Sequence, residues 1–96
     1  MYQVVVDDNV KLDIQDLVKD LYSKYGHIYA TDINKGISEN IKFLATNALT
    51  SKLEPIIRTN RRKYKNVRKI NYRGYYLIYK VETNIVYIID FTNVII

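Results

Sequence analysis

The basic and aromatic run between residues 58 and 73 is the part of the sequence best suited to chemistry on a nucleic acid. Cleavage of RNA through its 2′-hydroxyl needs a base, cationic or hydrogen-bonding groups for the phosphate, and an acid for the leaving oxygen. Arg68 could hold a phosphate through two parallel hydrogen bonds. Tyr72 could stack on a base. Together with Arg73, they are the candidate catalytic residues.

The remaining cations of the run are candidates for binding a nucleic acid or another target. Lysine and arginine bind phosphate groups irrespective of base sequence. In a strand, Arg68 and Tyr72 share one face with Ile70, and Lys69 and Asn71 share the other; the pattern does not say which face is open. The candidate binding residues are Arg58, Arg61, Arg62, Lys63, Lys65 and Lys69.

The charge of the chain is concentrated in its second half. The 96 residues carry a formal net charge of +5. Residues 1–51 contain five Lys/Arg and seven Asp/Glu, net −2, whereas residues 52–96 contain ten and three, net +7. This asymmetry favours a polyanionic partner, either nucleic acid or an acidic protein segment. The alternative is a solvated basic surface that serves only solubility.

The composition argues against cofactors and against export. The sequence has no cysteine, and its acidic residues lack histidine or cysteine at ligand spacing, so neither a metal nor another cofactor is expected. No apolar stretch approaches the roughly 20 residues that span a bilayer. The N-terminus lacks the pattern of a secretory signal. We therefore expect a cytoplasmic protein with no membrane contact.

Two amphipathic helices are predicted in the first half. Apolar residues from Val10 to Tyr25 recur at helical spacing, and Gly26 is placed to end that helix. After a short connection, a second helix is expected to begin near Thr31 or Asp32. Gly36 within it costs about 1 kcal/mol relative to alanine. Helices so close in sequence predict an antiparallel hairpin.

Strands are predicted to precede and follow this hairpin. Residues 2–6 form a short β-prone run; residues 65–72, 75–81 and 85–91 have strand composition, and residues 56–66 are expected to be a loop or a frayed edge. The order is β-α-α-β-β-β. It predicts an α+β fold, an antiparallel sheet packed by a helical hairpin, in one domain over residues 1–96.

The segment VRKINYRGYYLIYKVETNIVYIID, residues 67–90, resembles the RelE/ParE superfamily of toxins from type II toxin–antitoxin modules. The likeness lies in a basic strand, a Y-x-L-x-Y-x-V strand, a short turn and a closing apolar strand. The preceding strand and helices agree with that family in order and length, so the resemblance extends over nearly the whole chain.

The resemblance implies a small cytoplasmic toxin that a cognate antitoxin neutralises. RelE-like members cleave mRNA in the ribosomal A site, and ParE-like members poison DNA gyrase. The ribosome with its mRNA and DNA gyrase are therefore the two candidate targets. If this chain is an enzyme, the resemblance implies a metal-independent, ribosome-dependent endoribonuclease.

Two departures from the RelE pattern bear on that choice. Asn71 stands where those nucleases carry a catalytic arginine, and the tail Thr92–Ile96 has no cation, tyrosine or histidine. Both argue against cleavage, and the neutral tail also departs from the basic C-terminus that ParE-like chains commonly carry. The dense cations of residues 58–73 favour contact with RNA or the ribosome. The alternative to a toxin is a non-catalytic basic module, decayed or repurposed, that binds RNA or an acidic partner protein.

Overall fold

The computed structural model describes all 96 residues as two helices packed on one face of a five-stranded sheet. The strands are β1 (Gln3–Val6), β2 (Glu54–Arg58), β3 (Lys63–Tyr72), β4 (Tyr75–Glu82) and β5 (Ile85–Thr92), and the helices are α1 (Asp8–Tyr25) and α2 (His27–Asn47). The sheet order is β1-β5-β4-β3-β2. The α+β class is confirmed, and the predicted β-α-α-β-β-β order holds with one further strand, β2, after the helices.

Strand β2 corrects the expectation that residues 56–66 form a loop or a frayed edge. Residues 54 to 58 pair antiparallel with β3, which itself begins at Lys63. Because β2 lies at the edge of the sheet and pairs on one side only, it tolerates Pro55 and charged ends. Its sequence EPIIR therefore lacks the alternation that identifies a strand.

A single residue, Gly26, joins α1 to α2 in place of the short connection that the sequence predicted. Asp7 caps α1 by accepting a hydrogen bond from the Asn9 backbone N–H at 2.8 Å. Gly26 ends α1, as expected, with φ +90°, a backbone conformation that favours glycine. Helix α2 starts at His27, so the predicted start near Thr31 or Asp32 is wrong. The glycine supplies the whole reversal of direction.

The main core lies between the helical hairpin and the sheet. Ile33, Ile37 and Leu44 of α2 are essentially fully buried against the sheet. Strands β3, β4 and β5 pair antiparallel, whereas β1 pairs parallel with β5 at the other edge. The sheet side chains buried in this core are Leu77, Tyr79, Val86, Ile88 and Phe91.

A second, smaller core occupies the face of the sheet that the helices leave uncovered. Ile57, Val67 and Ile78 are buried there, with Tyr64, Ile89 and Ile95 packed around them. Tyr64 and Val67 join the same cluster although they are three residues apart, because Asn66 between them has φ +55° and interrupts the alternation of β3. Strands β2 and β3 thus contribute side chains to a core that is separate from the main one.

The uncharged tail helps to close this second core. Thr59 and Ile95 form an antiparallel bridge, and the Ile96 backbone N–H donates to the Arg58 carbonyl oxygen at 2.8 Å. The side chain of Ile95 is half-buried in the cluster. The apolar character of the tail therefore has a packing role.

Gly36 is required where α2 crosses the end of β3. A Cβ atom built at Gly36 would overlap the phenol ring of Tyr72. The ring thus occupies the space that any larger residue would need. This close approach explains a glycine in the interior of a helix.

We predict that Gly36→Ala destabilises the protein despite the higher helix propensity of alanine. Overpacking against Tyr72 should lower the free energy of unfolding in urea by about 1–3 kcal/mol. In a Tyr72→Ala background the ring is absent, and the same change should stabilise by about 1 kcal/mol. A Gly36→Ala change that stabilises both backgrounds equally would contradict this account.

Candidate functional site

Arg68 faces the helices and supports a loop. It lies opposite Tyr79 in the β3–β4 ladder, and its Nη1 donates to the backbone carbonyl of Ser51. The Tyr79 hydroxyl donates to the Ala48 carbonyl at 2.8 Å. These two contacts hold the segment between α2 and β2 against the sheet. The first candidate catalytic side chain is therefore half-buried and engaged in a structural contact.

Tyr72 and Arg73 lie at the other end of β3. The ring of Tyr72 packs on Gly36, and the Arg73 guanidinium stands over that ring at 5.5 Å from its centroid. Arg73 also pairs with Asp32 at 3.6 Å. Arg68 and Tyr72 are four positions apart along the strand, roughly 13 Å. The three candidate catalytic residues line two separate depressions, and the structure does not bring them together.

Two of the candidate binding cations are held in ion pairs. Lys69 pairs with Glu54 of β2, with about a quarter of each side chain exposed. Nη1 of Arg61 binds Asp13 of α1 at 3.0 Å, and its Nη2 donates to the Phe91 carbonyl at 3.0 Å. The hydrogen bond to Asp13 raises the pKa of Arg61. Both residues connect elements of the fold, which a prediction from charge alone does not anticipate.

A buried carboxylate, which the sequence analysis did not single out, lies at the centre of this arrangement. Asp90 is 4% exposed. It accepts hydrogen bonds from the Tyr64 hydroxyl at 2.6 Å and from the Phe91 backbone N–H at 2.7 Å, and Arg61 lies 3.6 Å away. Asp90 is the one charged residue of β5, within the otherwise apolar run IVYIIDF, and that isolation was a usable signal.

The surroundings of Asp90 keep Tyr64 protonated. Burial, followed by the hydrogen bond to Asp90 and the negative charge of that carboxylate, raises the pKa of Tyr64 to about 12. A phenol with this pKa donates a hydrogen bond throughout the physiological range. The Asp13–Arg61–Asp90–Tyr64 network therefore ties α1, the β2–β3 connection and β5 together, and it contains no activated nucleophile.

Three cations remain free on one face of the β2–β3 hairpin; we call Arg58, Lys63 and Lys65 the basic ribbon face. Arg58 lies directly opposite Lys63, and Lys65 follows two residues along β3 on the same side. All three are exposed, and none makes a salt bridge. Like charges directly opposite each other destabilise a sheet, so folding alone does not account for this placement.

Arg62 extends the positive charge next to this face. It is exposed, and its guanidinium stands 6.0 Å from the centroid of the Tyr64 ring. The turn that carries it is fixed by Thr59, whose hydroxyl accepts hydrogen bonds from the backbone N–H groups of Arg61 and Arg62 at 3.1 Å. Arg62 is therefore anchored by its backbone while its charge remains open to solvent.

No group of three or more His, Cys, Asp or Glu side chains is arranged to hold a metal ion. Neither α1 nor α2 combines the length and apolarity that a membrane-spanning helix requires.

Comparison with known proteins identifies one family. The model of the ParE toxin family of the type II toxin–antitoxin system, parDE, matches residues 4–93. The match extends from β1 to just beyond β5 and includes both helices and the basic ribbon face. No curated protein and no solved structure matches the chain.

We predict that Tyr64→Phe lowers stability at neutral pH and that the loss disappears in alkali. The folded-state pKa of Tyr64, about 12, lies above its usual value of 10.0, so its contribution is complete below pH 10 and is lost as pH rises through 12. At neutral pH the cost should be about 1–3 kcal/mol, since Asp90 loses a donor.

Urea unfolding between pH 8 and about 12 measures this difference. The control is Tyr22→Phe, which removes the hydroxyl of a tyrosine that is 57% exposed and should cost little stability. A gap between wild type and Tyr64→Phe that stays constant across the alkaline range would rule out the assigned role of the hydroxyl.

Proposed function

The chain belongs to the ParE family of toxins from type II toxin–antitoxin systems, and from that membership we propose that it inhibits growth by poisoning DNA gyrase in the cytoplasm. We propose further that the basic ribbon face contacts the DNA that gyrase holds. Family membership implies an antitoxin partner, which would restrain this activity. In this role the protein is a binding inhibitor and not a nuclease.

The observation that carries the proposal is the unneutralised charge of the basic ribbon face. Arg58 and Lys63 oppose each other across two paired strands, and no carboxylate compensates either of them. Repulsion between these two like charges lowers the stability of the free protein. In contact with a polyanion, the same two charges contribute favourably to binding. DNA phosphates in the gyrase complex would supply the negative charge.

The positions of the candidate catalytic residues favour binding over cleavage. RNA cleavage needs a base, a phosphate-binding group and an acid around one phosphate. Arg68 contacts Ser51, Tyr72 packs on Gly36, and Arg73 pairs with Asp32. Asn71, where RelE-like nucleases carry arginine, uses its side-chain oxygen to accept a hydrogen bond from the Gly74 backbone N–H at 3.0 Å. These contacts stabilise the β3–β4 hairpin and its neighbours.

We predict that the purified protein inhibits plasmid supercoiling by gyrase and that the basic ribbon face is needed. Replacing Arg58, Lys63 and Lys65 together by Glu should raise the inhibitory concentration by on the order of 10- to 100-fold, because phosphate contacts become repulsive. The matched control replaces Lys19, Lys35 and Lys42 of the helices by Glu. These lysines are also exposed and make no salt bridge, so that variant should retain inhibition.

A ribosome-dependent mRNA cleavage assay on the same preparations distinguishes gyrase inhibition from the two alternatives, mRNA cleavage and binding without an effect on either target. Cleavage of mRNA with gyrase unaffected would overturn the proposal in favour of the RelE-like activity. Salt-dependent DNA or RNA binding with neither effect would identify a non-catalytic binding module. Equal loss of inhibition in both charge-reversed variants would show that net charge, and not the basic ribbon face, governs the effect.

A further inference from the structure

An exposed isoleucine, Ile56, lies beside the three cations of the basic ribbon face. It is directly opposite Lys65 in the β2–β3 ladder and two residues before Arg58 on the same side of β2. Its side chain is 47% exposed, whereas that of the next residue, Ile57, is buried in the second core. Ile56 belongs to neither core, so packing within the chain does not account for its apolar side chain.

Ile56 and the three cations occupy the corners of a small rectangle. Arg58 opposes Lys63 and Ile56 opposes Lys65, and opposing residues have Cβ atoms about 5 Å apart. Along each strand the two corners are two residues apart, roughly 7 Å. Successive phosphates of one nucleic-acid strand have a comparable spacing. With one phosphate bound by Arg58 and Lys63 and the next by Lys65, the sugar that joins them would lie against Ile56.

This side of the hairpin offers contacts for a nucleic-acid backbone and no surface for stacking. Tyr64 is the one aromatic residue between Glu54 and Val67, and its ring faces the second core, where its hydroxyl donates to Asp90. The one carboxylate of β2, that of Glu54, is paired with Lys69. Unpaired bases bind by stacking on aromatic side chains, so the basic ribbon face suits the sugar–phosphate backbone of a duplex.

We propose that Ile56 makes the basic ribbon face select DNA over RNA by packing against the sugar. This role rests on the proposed contact with DNA and adds the residue that gives that contact its specificity. Lysine and arginine bind the phosphates of both nucleic acids, so the three cations do not discriminate. RNA differs at the sugar by its 2′-hydroxyl. Ile56 would cover that hydroxyl without offering it a hydrogen bond, which weakens binding, whereas deoxyribose presents only C–H groups there.

Fluorescence anisotropy with three short, labelled duplexes of one sequence tests this role and requires neither gyrase nor ribosomes. The duplexes are DNA, RNA, and RNA in which fluorine replaces every 2′-hydroxyl. The fluorinated duplex keeps the A-form geometry of RNA but has no hydroxyl to desolvate. At low salt the protein should bind DNA and the fluorinated duplex with similar affinity, and RNA about tenfold more weakly.

Ile56→Thr should remove the discrimination. Threonine keeps the β-branched shape that suits a strand and supplies a hydroxyl that can bond to the 2′-hydroxyl. Affinity for RNA should rise about tenfold, while affinity for DNA stays within about twofold of the wild type. The matched control is Leu53→Thr, which changes a 51% exposed leucine outside the basic ribbon face and should keep the preference for DNA. Replacing Arg58, Lys63 and Lys65 together by Glu should abolish binding of all three duplexes.

Equal affinity of the wild type for DNA and RNA would overturn the role of Ile56, as would an unchanged preference in Ile56→Thr. Weak binding of the fluorinated duplex would overturn it too, because A-form geometry would then explain the preference. Absence of duplex binding would remove the backbone contact itself. Gyrase inhibition is measured separately, so a protein that inhibits supercoiling without distinguishing the sugars would retain the proposed function and lose only the role of Ile56.

Discussion

The hydrogen bond between Tyr64 and Asp90 is the constraint on which the second half of the molecule depends. A carboxylate as buried as Asp90 is costly unless its oxygens are bonded, and β5 itself supplies only the Phe91 N–H. Tyr64 and Arg61 supply the rest, and both belong to the β2–β3 segment. Satisfying Asp90 therefore bends that segment over the uncovered face, closes the second core and turns the basic ribbon face outward.

The cations of the basic run divide into two groups that composition cannot distinguish. Arg61, Arg68, Lys69 and Arg73 are held by partners within the fold, and Arg58, Arg62, Lys63 and Lys65 make no ion pair. From the sequence alone, a cation that pairs with a distant residue, as Arg61 does with Asp13, cannot be distinguished from a cation that is free to bind a ligand. The distinction depends on which elements meet, so it emerged only with the tertiary structure.

The sequence predicted most of the fold because most of its elements carry strong local signals. Apolar spacing located α1, and the runs at residues 65–72, 75–81 and 85–91 located three strands. Strand β2 was missed because an edge strand pairs on one side and need not alternate. The start of α2 was misplaced because Gly26 joins two helices with no intervening loop. For the site, the sequence indicated the cations but not their partners, which lie up to 48 residues away.

That separation along the chain has a consequence for folding order. Strands β3, β4 and β5 are joined by two-residue turns, so they can pair through local contacts. The hydrogen bond between Arg61 and Asp13 closes a far longer loop. The conformational entropy lost in closing that loop is offset only when α1 and β5 are already in place. We therefore expect β2 and the start of β3, the part that carries Tyr64, to dock late in folding and to detach early in unfolding. The basic ribbon face would then be the part of the native molecule that exchanges its amide hydrogens fastest through local opening.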